Sequence, residues 1–218
     1  MRIRLDALLF GSSLVLVCSA IQPAMASHEF PGHADRCAID QRAEDDEFVP
    51  MTRSERLKRY VTGTFGPNSL NKSAASAEIM QVRKVPKEWS RTPAGFGNRV
   101  GSAFAQHIVR GTLQYGTSSA LHEDNRYRPS CKKGFWKRAG YAVSSTFLAR
   151  RDNGRRRFSF SRIGSAGGAS FISRTWLPPS IATAGAGASS FGLTIAFDVG
   201  ANVFHEFWPD LRKKFLHR

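Results

Sequence analysis

Two stretches, GSAGGAS at 164–170 and TAGAGASS at 183–190, set the tightest limit on how this chain folds. Side chains this small give helices faces, such as Gly164 with Gly168 and Gly185 with Ser189, across which two backbones approach closely. In lipid such a face is an association motif, and in water it is a site of tight packing.

The punctuation around these stretches divides the chain into helices. Thr52-Arg53-Ser54-Glu55 has the spacing of a capping box ahead of ERLKRYVTGTF, and Gly66-Pro67 ends that helix. Asn68 or Ser69 caps a second helix that runs to about Val82. Thr92-Pro93 supplies a cap and a first-turn proline for the longest one, reaching about Leu121, with Phe96, Val100, Phe104, Ile108 and Tyr115 near helical spacing. A fourth is expected from about Phe135 to Arg151, stopping at Asp152-Asn153-Gly154 with two arginines where the helix dipole favours cations. The fifth runs from about Ser161 to Trp176 before Pro178-Pro179, and the last from about Ala182 to Trp208 before Pro209. The expected fold is an all-α bundle of five or six helices rich in small residues, occupying 51–218.

One rival competes for the last helix. SFGLTIAFDVGANVF alternates, with Phe191, Leu193, Ile195, Phe197, Val199, Ala201 and Val203 on one side, as a strand of an outer-membrane β-barrel does. Few other segments alternate and regularly spaced hairpin turns are missing, so the helix is preferred. The segment from Ile181 to Phe204 is long enough to span a bilayer, but Asp198 and Asn202 lie within it. A bundle that touches a membrane is therefore favoured over one that crosses it.

The first 26 residues have the parts of a secretory signal: Arg2 and Arg4, an apolar run from Ala7 to Ile21, and Ala24-Met25-Ala26 before the cut. The mature chain is expected to start at Ser27 and to reside in the periplasm or cell envelope. Residues 27–50 are polar and aperiodic and read as a disordered lead-in. His28, His33, Asp35 and Cys37 within it match no standard metal-ligand spacing. After cleavage Cys37 and Cys131 remain, and pairing as a disulfide and persistence as two thiols both stay open.

The chain has 32 Lys and Arg against 17 Asp and Glu, a formal charge of +15. That balance points to a polyanion, and export directs it to anionic lipid, lipopolysaccharide phosphate or cell-wall polymer. Nucleic acid is not an expected partner, because no zinc-finger spacing and no RNP-like aromatic motif occur. The run RRRFSFSR at 155–162 mixes arginine and aromatics, either to lie on an anionic membrane or as a solvated loop before a helix. Nothing in the sequence sets the oligomeric state.

Chemistry is concentrated in LHEDNRYRP, 121–129. If the long helix continued through it, Glu123 and Asp124 would sit in the last turn, where the negative end of the dipole repels carboxylates. One reading makes Glu123, Asp124, Arg126, Tyr127 and Arg128 a structural corner, in which a carboxylate holds an arginine or a helix N-terminus. The other takes His122, Glu123 and Asp124 as catalytic candidates. Neighbours on a helix face different ways, so these need help from Asp198, Asn202, His205 and Glu206, which share helical spacing near the C-terminus. His122, Glu123, His205 and Glu206 together have the donor types of a metal-dependent hydrolase acting on envelope lipid or glycan. No HExxH spacing accompanies them, and no metal is assigned. No cofactor is assigned either: GAGASSFG has the wrong spacing for a dinucleotide loop, and no GxSxG or GK[ST] occurs.

With VTGTFGP, GFGNRVGSAFA, LHEDNRY, GYAVSSTF, FSFSRIG and EFWPD in view, the chain from about Tyr60 to Asp210 resembles a family of predicted exported bacterial proteins to which no reaction is assigned. The resemblance implies an exported domain with a shared corner at Glu123, Asp124, Arg126 and Tyr127. This chain departs from the pattern where relatives tend to have Asn-x-Tyr-Tyr-Pro, carrying Arg174-Thr175-Trp176-Leu177-Pro178. Two functions follow as expectations: a non-enzymatic envelope protein held to an anionic surface, and the hydrolase.

Overall fold

The computed structural model describes residues 50–216, with side chains as far as residue 212. Within them the chain is mostly helical, with six α-helices and one small three-stranded sheet. The expected signal sequence, the expected lead-in as far as residue 49, and Cys37 lie outside the described residues.

Local signals start the first three helices. Helix α1 spans Arg53–Phe65, and its capping box is complete: Thr52 Oγ1 accepts from the Glu55 amide, and Glu55 accepts from the Thr52 amide at 2.9 Å. Helix α2 spans Pro67–Val82, so Gly66 both ends one helix and begins the next, with proline at the first helical position instead of Asn68 or Ser69 as the cap. Helix α3 spans Pro93–Ala120, 28 residues capped by Thr92, and packs against α1 and α2.

The fourth helix is shorter than its sequence suggests. Helix α4 spans Phe135–Phe147, and Leu148–Arg151 leaves it as strand β2. The Asp152-Asn153-Gly154 turn, with Gly154 at φ 72, leads into β3, Arg156–Phe158. Asn-Gly turns stop helices but equally join antiparallel strands, and here the pairing is available because β1, Glu123–Asp124, lies on the other side of β2. The register sets Glu123 opposite Arg151 and Asp124 opposite Arg150, then Leu148 opposite Phe158. The bundle is therefore not purely α.

Helix α5, Phe160–Ile172, is capped by Ser159 and runs into a 3-10 turn at Ser173–Thr175. Helix α6, Ala184–Leu216, takes in all of the alternating segment, so that segment is helical. It also continues through Pro209, where the Arg138 guanidinium donates to the Glu206 carbonyl at 2.7 Å. Helix α5 packs on α3, and α6 on α4 and α5. The small-residue stretches work at positions other than the expected pairs. A Cβ on Gly168 would lie 2.8 Å from Leu113 Cδ1 and one on Gly187 2.8 Å from a Phe171 ring carbon, whereas Gly164 and Gly185 face open space.

The interior is polar and small. Its buried apolar side chains, among the described residues, are alanines (Ala77, Ala142, Ala149, Ala166, Ala169) and Leu177, and beside them lie Arg99, Glu123, Glu206 and a row of serines. Every helix but α3, whose large apolar side chains are half-buried, turns its small or polar stripe inward and large apolar side chains outward. On α1, Arg56 and Thr64 are buried while Leu57, Val61 and Phe65 are exposed. On α6, Glu206 is buried while Leu193, Phe197, Phe204 and Leu211 are exposed. Trp136 at the start of α4 is 83% exposed. Exposed leucines alone are ordinary, but buried charge combined with outward aromatic and aliphatic stripes is not.

Candidate functional site

The chain between α3 and α4 is where distant elements meet. Helix α3 ends at Ala120, and His122 takes a left-handed conformation (φ 54), which histidine tolerates better than most residues. This turn carries Glu123 and Asp124 out of the helix and away from the negative end of its dipole. In β1 successive side chains point to opposite faces, so the two carboxylates serve different partners.

Glu123 is buried and forms the cap that α5 receives from another segment. Its carboxylate accepts from Ser159 Oγ at 3.2 Å, the Phe160 amide at 3.2 Å, the Ser161 amide at 3.0 Å and Ser161 Oγ at 2.6 Å. An anion at a helix N-terminus satisfies donors that the helix leaves unpaired. Its own carbonyl accepts from Arg56 Nη1 at 2.6 Å, and the same nitrogen donates to the Ser118 carbonyl, which fastens α1 to this corner.

Asp124 holds Arg126. Nε and Nη2 of the arginine lie 2.8 and 2.6 Å from Asp124 Oδ2, and the Arg126 amide donates to Oδ1 at 3.0 Å. Burial pushes the Asp124 carboxyl up, but the hydrogen bonds and charge of Arg126 outweigh it and hold the group below the usual range. Asp124→Asn is expected to lower stability by about 2 kcal/mol in a thermal or urea melt, the scale of a hydrogen bond to a charged group. An unchanged midpoint would remove this pair from what holds the corner.

Glu206 is the second buried carboxylate. It accepts from Tyr127 Oη at 2.8 Å, the Ser130 amide at 2.9 Å, Ser130 Oγ at 2.6 Å and Arg138 Nε at 3.0 Å. Burial again acts to raise its pKa, and the donors of Ser130, Arg138 and Tyr127 bring it below the ordinary value. Tyr127 is shifted up, by burial first and then by Glu206, so its phenol stays a donor. Arg138 also binds Asp210 at 2.6 Å, which joins α4 to two successive turns of α6.

The catalytic candidates do not converge. His122 is 69% exposed and its Nδ1 lies 2.9 Å from Asp152 in the hairpin turn. His205 is exposed, with its ring centroid 6.3 Å from that of Tyr127. Glu123 and Glu206 each spend their oxygens on separate donor sets, a poor arrangement for a general base, which needs a lone pair directed at substrate. Among the described residues no group of three His, Cys, Asp or Glu side chains is placed to hold a metal. Cys131 is exposed, and the question of its pairing involves Cys37, outside the described residues.

Arginine is gathered around the hairpin. Arg126, Arg128, Arg150 and Arg156 surround Asp124 at a cavity of about 20 Å³, room for about one water. Arg155, Arg157, Phe158 and Phe160 are exposed next to it. Sequence reasoning missed Ser159 and Ser161 as partners of Glu123, and Ser130 and Arg138 as partners of Glu206. The serines at the start of FSFSRIG were the available signal, since serine clusters where a helix begins. No protein-family model, no curated protein and no solved structure matches this chain.

Proposed function

We propose that this is an exported, non-enzymatic protein of the cell envelope that lies on an anionic membrane surface. The observation that carries this reading is the inverted distribution of side chains, with leucine, phenylalanine and tryptophan outward and serine, glutamate and arginine inward. Large apolar groups on the outer faces of helices favour an environment less polar than water. The arginine-rich hairpin, flanked by exposed Phe158 and Phe160, selects a negatively charged one. No helix among the described residues is long and apolar enough to cross a membrane, which agrees with a position in the headgroup layer. Export by residues 1–26, with Ser27 as the new N-terminus, brings the chain to such a surface.

Vesicle flotation tests this. The mature chain is expected to float with vesicles containing phosphatidylglycerol and much less with phosphatidylcholine alone. Arg155→Ala with Arg157→Ala should weaken binding about 30-fold, at roughly 1 kcal/mol per basic residue near the surface. High salt should release only part of the protein, because apolar contacts persist when charge is screened. Equal binding to both vesicle types, or none to either, would overturn the reading.

A further inference from the structure

A second cavity, of about 260 Å³, opens between α3, α5 and α6 and is distinct from the hairpin patch. Two guanidiniums line it, Arg110 from α3 and Arg162 from α5, with the carboxylate of Asp198 from α6 between them in charge. Arg110 is paired with Asp198 through Nη2, while its Nε is buried without a hydrogen-bond partner. A buried donor left unpaired calls for an acceptor.

Arg162 is the more telling of the two. Its guanidinium donates to the backbone carbonyls of Ser145, Thr146 and Asn125. Among the described residues it forms no ion pair. Burial pushes its pKa down, as it does for Arg99, while the charges of Asp198 and Glu123 act to raise it. Arg99 shows what a purely structural buried arginine looks like in this fold. It is fully enclosed, spends its donors on the carbonyls of Val85, Pro86, Trp89, Ser90 and Gly95, and lines neither of the two cavities described. Arg162, by contrast, borders open volume.

The cavity is lined by two guanidiniums, the His107 imidazole and one carboxylate, with Glu123 acting on Arg162 from outside the lining, and the unpaired Arg110 Nε gives an anion a donor there. Arginine presents planar, bidentate donors suited to the paired oxygens of phosphate. Gln114 makes no hydrogen bond with its side chain among the described residues, and the Asn202 amide nitrogen is committed to Thr146, which leaves its oxygen for a hydroxyl. We infer that the cavity between α3, α5 and α6 binds a phosphodiester monoanion with a hydroxylated substituent, its phosphate on Arg110 and Arg162 and its hydroxyls at Gln114 and Asn202. The inference deepens the membrane reading, since the headgroup of an anionic glycerophospholipid has this chemistry. A free phosphodiester has it too.

The test titrates glycerophosphoglycerol, a soluble phosphodiester monoanion, into the mature chain by calorimetry, with lactate as the carboxylate control. Binding is expected for the phosphodiester, with at least a tenfold loss in the double variant Arg110→Gln, Asp198→Asn, which keeps a neutral pair in place of the ionic one. Ala201→Phe, which fills the cavity without touching a charge, should give the same loss and guards against misfolding of the double variant. Vesicle flotation runs alongside to separate sources. A chain that binds the soluble probe with this variant dependence yet ignores phosphatidylglycerol vesicles supports the site with a free phosphodiester as ligand, and sinks the membrane reading. A chain that floats equally well as parent and variants and shows no binding of the probe overturns the site and leaves the membrane reading standing. Lactate binding as tight as that of the phosphodiester also overturns the assignment.

Discussion

Glu206→Ala is expected to remove about 3–5 kcal/mol of stability, the scale for breaking one side of a buried ion pair. The variant leaves the Ser130 amide and hydroxyl, the Tyr127 hydroxyl and Arg138 Nε without their acceptor in a region where Glu206 itself is fully enclosed. Arg138 keeps Asp210, which limits the damage to that guanidinium. Against a total stability of about 5–15 kcal/mol for an ordinary domain, this loss is enough to bring unfolding near working temperature. Urea denaturation measures it, and a loss below about 1 kcal/mol would mean that water replaces the carboxylate. The carboxyl is held below its ordinary value of 4.5, so its contribution is present above that pH and fades as the pH falls through the lower folded-state value. Glu206→Gln should therefore flatten the acid side of the stability profile relative to the parent.

Glu123→Ala is the second large effect, at about 3 kcal/mol or more. It combines loss of a helix cap, about 1–2 kcal/mol, with buried donors left unsatisfied at about 1–3 kcal/mol. Its signature differs from that of Glu206. The Phe160 and Ser161 amides lose their acceptors directly, so hydrogen exchange should rise first in the opening turn of α5. Exchange that rises uniformly across the domain, with α5 no different from α2, would show that the cap is not what the carboxylate supplies.

Much of the helix pattern was legible because its causes are local. Thr52 and Glu55 sit three apart and close their box without help from the rest of the fold, and Thr92-Pro93 starts α3 in the same way. Strand β2 was not legible, since Leu148-Ala149-Arg150-Arg151 becomes a strand through partners at Glu123–Asp124 and Arg156–Phe158, and no periodicity within four residues announces that. At the corner, Asp124 finds Arg126 two residues on, whereas Glu123 reaches 36–38 residues ahead to Ser159 and Ser161. The row of Asp198, Asn202 and Glu206 could be read from spacing as one face of a helix. Its inward direction could not, because periodicity defines a face without stating which medium that face meets.

The inverted interior also shapes how the domain responds to temperature. The heat-capacity increase of unfolding comes from apolar surface newly exposed to water, and exposed polar surface subtracts from it. Here much of the leucine and phenylalanine surface already lies outside in the folded state, while unfolding releases serines, alanines and charged groups. The increment per residue should therefore fall below the usual value of about 12–15 cal/mol/K. Such a domain has a shallow stability curve, held up less by water's aversion to hydrocarbon than by the donors around two carboxylates.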